Sequence, residues 1–158
     1  MTREQLRASM TDRIALVCTL FGECAGEAIQ GQIAVACVIR NRVLRDIGAD
    51  GKPDWWQEGY RGVCLAPWQF SCWHEKNQNT DRVYALAQAL MDQQPVGPVV
   101  TELQWIAEGV MGGALRDVTR GSDHYLTTAL LRSSKAPAWA LKSPSVVTIG
   151  SHTFFRLN

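Results

Sequence analysis

Two glutamates, Glu23 and Glu27, stand in Gly22-Glu23-Cys24-Ala25-Gly26-Glu27, a glycine-punctuated turn directly behind an apolar helical run. Leu6, Met10, Ile14, Val17 and Phe21 recur at steps of three and four, the spacing of one buried helix face. A helix ending near Glu23 puts its carboxyl at the negative end of the macrodipole, among apolar neighbours such as Leu20 and Phe21. Both surroundings disfavour the anion. A carboxyl that keeps its proton near neutral pH is what a general acid needs to protonate a leaving-group oxygen. Taken alone, two glutamates in a Gly-rich turn are better explained by solvation, so the decision falls to the rest of the chain.

A second group is Pro67-Trp68-Gln69-Phe70-Ser71-Cys72-Trp73. Flat apolar rings beside an amide suit the faces and hydroxyl edges of sugar rings. Of the six tryptophans, Trp55, Trp56, Trp68 and Trp73 fall in expected loops, where binding residues concentrate. An aromatic cluster is as readily core, and the two readings start even. A third group, Asp117-Val118-Thr119-Arg120-Gly121-Ser122-Asp123-His124-Tyr125, offers a carboxylate, hydroxyls, an imidazole and a phenol. The competing reading is an ordinary loop with Tyr125 packed as an anchor, above all for Asp123. His74, His124, His152 and five cysteines show no Cys-x-x-Cys, His-x-x-x-His or HExxH spacing, so neither a metal nor another cofactor is expected. His152 reads as a hydrogen-bonded structural histidine, and Gly-x-Ser-x-Gly is absent.

The elements that must position these groups are mostly helices. A capping box at Thr2 and Gln5 starts a first helix covering much of 3–23. A second carries Ile29, Ile33, Cys37, Val43, Leu44 and Ile47. A loop over 48–54 follows, then another through Gly59 and Gly62 to Pro67. Thr80 and Asp81 cap a helix of Val83, Leu86, Ala87 and Leu90 that Pro95 ends. A further helix runs from about Val99 to Met111, stopped by Gly112-Gly113. Residues 114–145 read as irregular with one short helix. Val146–Ile149, Gly150-Ser151 and His152–Phe155 read as a β-hairpin with a tight glycine turn. The fold class is α+β, mostly α, in one domain over residues 1–158.

Length and composition agree: 158 residues, 46% hydrophobic and 20% charged, describe one soluble globule. Residues 1–45 carry six basic side chains against four acidic, 46–112 four against nine, and 113–158 six against two. The basic C-terminal segment suits an anionic envelope polymer or is a solvated face. No dense basic run points to nucleic acid, and no apolar run reaches membrane-spanning length. The N-terminal residues show no signal-peptide pattern, so synthesis in the cytoplasm is expected. Cys18 and Cys37 read as buried thiols. Cys64 and Cys72 flank a short loop and could pair in an oxidising compartment.

Four blocks in order resemble the cell-wall hydrolases related to the catalytic domain of spore-cortex-lytic enzymes. They are Gly22–Glu27 with Gly31-Gln32 and Asn41-Arg42-Val43; Gly62-Val63-Cys64 with Gln69–Trp73; Asp117–Tyr125; and Ile149–Phe155. The third block departs from the family's usual Asp-Pro-Thr-x-Gly-Ala at Val118 and Ser122, and the segment 95–116 is longer than usual. The resemblance implies a lysozyme-like fold and cleavage of the β-1,4 bond between N-acetylmuramic acid and N-acetylglucosamine in peptidoglycan. It maps the catalytic acid to Glu23 and favours lytic transglycosylase chemistry, with Glu27 organising the turn. Gln69, Phe70, Trp73, Thr119 and Tyr125 are then expected to line the sugar cleft. The compact form resembles a phage endolysin, expected to work as a monomer on wall glycan strands. The alternatives are a hydrolytic muramidase pairing Glu23 with Asp117 or Glu27, and a non-catalytic glycan-binding module.

Overall fold

The chain opens with the capping box that Thr2 and Gln5 predict. Thr2 Oγ1 accepts from the Gln5 amide at 3.1 Å, and the Gln5 side chain accepts from the Thr2 amide at 2.8 Å. In this computed structural model, which describes residues 1–45 and 58–158, the first helix is divided into α1 (Arg3–Ser9) and α2 (Asp12–Cys24). Met10 turns extended, and Thr11 begins a new helix by accepting from the Ile14 amide at 3.2 Å. Leu6 and Met10 are buried together with Leu16, Val17 and Leu20. The apolar period therefore runs through the break and conceals it.

Helix α3 (Ile29–Leu44) follows as expected. Ile47, the loop over 48–54, Trp55 and Trp56 lie outside the described residues. The loop expected through Gly59 and Gly62 is instead helix α4 (Gly59–Leu65). Val63 and Cys64 are fully buried there, and α4 packs on α2 and α3. Its first turn is held by Asp12, whose Oδ1 accepts from the Arg61 amide at 3.0 Å. Gly59 leaves room for α2 there, since a Cβ on it would lie 3.3 Å from Asp12 Oδ2.

A 3-10 turn (Ser71–Trp73) leads to α5 (Thr80–Met91) and α6 (Pro98–Met111), the latter ending at Gly112 as predicted. Thr80 is not the cap of α5: its hydroxyl donates to the Cys72 carbonyl at 3.1 Å, and Asn79 takes the cap position. Helix α2 is central, packed against α4, α5 and α6. Its core partners include Val35, Val63, Trp73, Val83, Leu103 and Val110. No helix among the described residues is long and apolar enough to cross a membrane.

Residues 114–145 hold more order than expected: a strand β1 (His124–Thr127) and the short helices α7 (Thr128–Leu131) and α8 (Ala138–Lys142). The predicted hairpin is present as β2 (Val147–Ile149) and β3 (His152–Phe155), turning at Gly150 with φ +58°. The antiparallel sheet has the order β1-β3-β2, with Tyr125 opposite Phe154 and Ile149 opposite His152. Phe154 seats the sheet on Ala34 and Val38 of α3. The fold is mostly helical with one small sheet. All five cysteines are buried and free, so Cys64 and Cys72 are not bridged, and burial pushes the Cys64 thiol up to about 12.

Candidate active site

Glu23 sits in the last turn of α2, one residue before its end. The glycine before it lets another segment come close. A Cβ on Gly22 would lie 2.5 Å from Cys72 Cβ and 2.9 Å from Val83 Cγ2. With that space open, the Ser71–Trp73 turn approaches, and the Cys72 amide donates to Glu23 Oε1 at 3.3 Å. The Cys72 thiol faces the same carboxyl; burial first and then the Glu23 charge push it far above its ordinary value. That thiol stays protonated and acts at most as a weak donor.

The half-buried Tyr125 of β1 also feels Glu23. Burial and then the Glu23 charge raise its phenol well above the ordinary value, so it remains neutral. Around the helix end, Phe21, Glu23, Ala25, Glu27, Asn79 and Arg82 line a pocket of about 330 Å³. Arg82 reaches it from α5, its guanidinium 5.4 Å above the Phe21 ring.

Glu27 begins beyond the helix end, its amide donating to the Cys24 carbonyl at 3.0 Å. Its carboxylate turns to the β2–β3 turn, where Ser151 Oγ donates to Oε1 and His152 Nδ1 stands 3.4 Å from the same oxygen. Gln32, buried in α3, closes the turn from below. Its Nε2 donates to the carbonyls of Cys24 at 3.4 Å and Ala25 at 3.3 Å.

The model of the family described as Cell Wall Hydrolase matches residues 26–155. The chain belongs to the cell wall hydrolase family. Two solved structures share its fold. The catalytic domain of the germination-specific lytic transglycosylase SleB from Bacillus anthracis is 22% identical, with a TM-score of 0.57 over 92% of this chain and 93% of that one. The catalytic domain of the SleB protein of Bacillus cereus is 23% identical, with a TM-score of 0.54 over 92% and 90%. No curated protein matches the sequence. The family match begins three residues after Glu23, so that side chain is argued from its geometry.

Within this cell wall hydrolase, the expected cleft residues separate into two groups. Tyr125 feels the Glu23 charge, whereas Gln69 meets Arg42. Gln69 is half-buried, with Oε1 accepting from Arg42 at 2.9 Å, and Arg42 in turn donates to the Asp123 carbonyl at 2.7 Å. Phe70 and Trp73, expected in the sugar cleft, are core instead. Trp73 is 5% exposed, its indole N–H donates to Thr19 Oγ1 at 3.0 Å, and its ring meets Tyr84 edge-on. Phe70 is buried under the Arg42 guanidinium. The pocket these two rings do touch holds Arg7, Trp68 and His74 and neither glutamate.

Thr119 is also misplaced by the sequence reading. It is fully buried, and both its amide and its hydroxyl donate to Asp117 Oδ1, at 2.8 and 2.6 Å. Asn41 and the Gly121 amide occupy Asp117 Oδ2 at 2.9 and 2.7 Å. The third motif is therefore a loop staple built on Asp117. Asp123 anchors the chain end, accepting from the amides of Leu157 and Asn158. Residues the sequence did not single out for the site are Cys72, Asn79, Arg82, Ser151 and His152. Each arrives from an element remote in the chain, and no local spacing marks it.

Proposed function

We propose that this enzyme cleaves the β-1,4 bond between N-acetylmuramic acid and N-acetylglucosamine of peptidoglycan as a lytic transglycosylase, with Glu23 as its acid and then its base. The observation that carries this reading is the Glu23 carboxyl at a helix end, lining a pocket and accepting the Cys72 amide at Oε1. Glycosidases that use water need a second free carboxylate, roughly 5–9.5 Å from the first. Among the described residues, Glu27 is turned to the hairpin with Oε1 held by Ser151, and Asp117 has donors on both oxygens. One carboxyl suffices when the substrate supplies its own nucleophile.

Glu23 protonates the glycosidic oxygen, and the bond from that oxygen to C1 of the muramic acid breaks. The 6-hydroxyl oxygen of the same sugar bonds to C1, and its proton returns to the Glu23 carboxylate. The product carries a 1,6-anhydro end, and no water is consumed. Neutral Tyr125 and the Gln69 amide offer polar contacts to the sugar. The SleB domain of Bacillus anthracis, whose fold this chain shares, is named a lytic transglycosylase. We further read the protein as an endolysin-like monomer that meets its substrate on the outer side of the cytoplasmic membrane.

Digesting purified walls and weighing the products tests this. Transglycosylation releases fragments one water lighter than those with reducing ends, and Glu23→Gln releases none. Reducing ends from the wild type would establish hydrolysis, and wall lysis by folded Glu23→Gln would remove Glu23 from the chemistry. Binding to walls without any fragment release would leave a glycan-binding module.

A further inference from the structure

We propose that Ser151 and His152, at the tip of the β2–β3 hairpin, are positioning residues for this reaction. Through Glu27 they hold the turn that carries Glu23 against the sheet that carries Tyr125. The proposal rests on Glu23 as the acid and concerns residues to which that reading gives no role.

The contact is built from both sides. Ser151 Oγ donates to Glu27 Oε1, and His152 Nδ1 faces that oxygen at 3.4 Å. His152 is 6% exposed, and its Nδ1 has no hydrogen-bond partner among the described residues, so the carboxylate is what compensates this nitrogen. The other side of the imidazole meets Tyr125, ring centroids 5.1 Å apart and edge-on. Two glycines leave Glu27 its space. A Cβ on Gly31 would lie 3.3 Å from Glu27 Cβ, and one on Gly150 would lie 3.3 Å from Glu27 Oε2. The tip is itself tied to the end of β1, because the Thr128 amide donates to the Ser151 carbonyl at 2.8 Å.

A continuous path therefore runs from the Glu23 turn through Glu27 and the hairpin tip to Tyr125. Glu27 and Glu23 share one short turn, closed by the Glu27 amide on Cys24 and by Gln32 on Cys24 and Ala25. Loosening Glu27 frees that turn to shift, and a displaced acid loses turnover more than it loses affinity. A hydroxyl on a carboxylate is a charge-assisted hydrogen bond, strong enough to set the geometry of a surface turn.

The test uses the full chain and soluble glycan strands, with kcat, KM and melting temperature measured together. Ser151→Ala and His152→Phe, the latter keeping a ring on Tyr125, should each lower kcat about tenfold or more while KM stays within about twofold. Ser151→Thr should recover most of the loss at its position. In a Glu27→Gln background, Ser151→Ala should add less than about twofold, because the grip is already loosened. Wild-type kcat in folded His152→Phe and Ser151→Ala would overturn the proposal, as would a full additional loss from Ser151→Ala in the Glu27→Gln background. Glu23→Gln run alongside keeps the two ideas apart. If it is active, the acid assignment falls; if it is dead while the hairpin variants turn over normally, only the positioning role falls.

Discussion

In the loop at residues 117–123, Asp117 accepts four hydrogen bonds, from Thr119 twice, Asn41 and Gly121, all between 2.6 and 2.9 Å. In the turn at residues 22–28, Glu23 receives the Cys72 amide at 3.3 Å and a weak thiol. Both segments pair a carboxylate with a glycine, and both look equally chemical in the sequence. The difference lies in how many donors converge. For Asp117, burial alone would raise the carboxyl, but the bonds from Thr119, Asn41 and Gly121 outweigh it and hold the group below the usual carboxylate range. An acid held ionised by its neighbours cannot hand over a proton. The role proposed for Glu23 fits its place: it lines a pocket and has fewer donors around it than Asp117.

Exchanging the two carboxylates for amides is the most direct way to break this comparison. Glu23→Gln should lower wall turnover by at least ~10²–10⁴ with an unchanged melting temperature, since the amide keeps the shape but has no proton to give. Asp117→Asn should do the reverse. Activity per folded molecule should persist, and denaturant titration should show a loss of about 1.5–3 kcal/mol from the charged hydrogen bonds. Equal activity losses in both variants would mean that donor count does not distinguish the roles.

The aromatic turn sharpens the same contrast. Trp73, with its N–H satisfied inside the core, should cost ~3–5 kcal/mol when truncated to alanine, with turnover per folded molecule intact. A folded Trp73→Ala protein that loses glycan affinity without that stability loss would restore it to the cleft. The acid side of the stability profile supplies a smaller signal. Asp117 and Asp123 are both held below their unfolded values: burial would raise each, and their hydrogen bonds outweigh it. Their stabilisation is thus fully present above the ordinary carboxylate value of about 4 and is lost as pH falls through the lower folded values. The urea midpoint should drop on acidification through that window, and Asp117→Asn should flatten the drop. The smallest effect is expected at Trp68, which is 86% exposed. Trp68→Ala should change stability by no more than about 0.5 kcal/mol in the same denaturant titration.

Much of the architecture was legible because its signals are local. The capping box at Thr2, the stop at Gly112 and the Gly150 turn each depend on residues within a few positions of one another. The break at Met10-Thr11 was hidden by an apolar period that burial continues across it. Helix α4 was hidden because Gly59, which leaves room for Asp12 of α2, looks like a glycine that ends a helix. Strand β1 was hidden because its four residues pair with β3, far along the chain.

By itself, the amino-acid sequence determined that this chain folds as helices with a terminal hairpin, and that a glutamate stands where an apolar helix ends in a glycine turn. Those are properties of spacing, and spacing is written in neighbouring residues. Only the tertiary structure decided which groups hold Glu23 and Glu27, that Asp117 and Thr119 staple a loop, and that Phe70 and Trp73 are core. The reason is physical: a side chain's role depends on the donors and apolar surfaces that surround it. Here they come from Cys72, Asn41, Thr19 and Ser151, which are separated in the chain and meet only on folding.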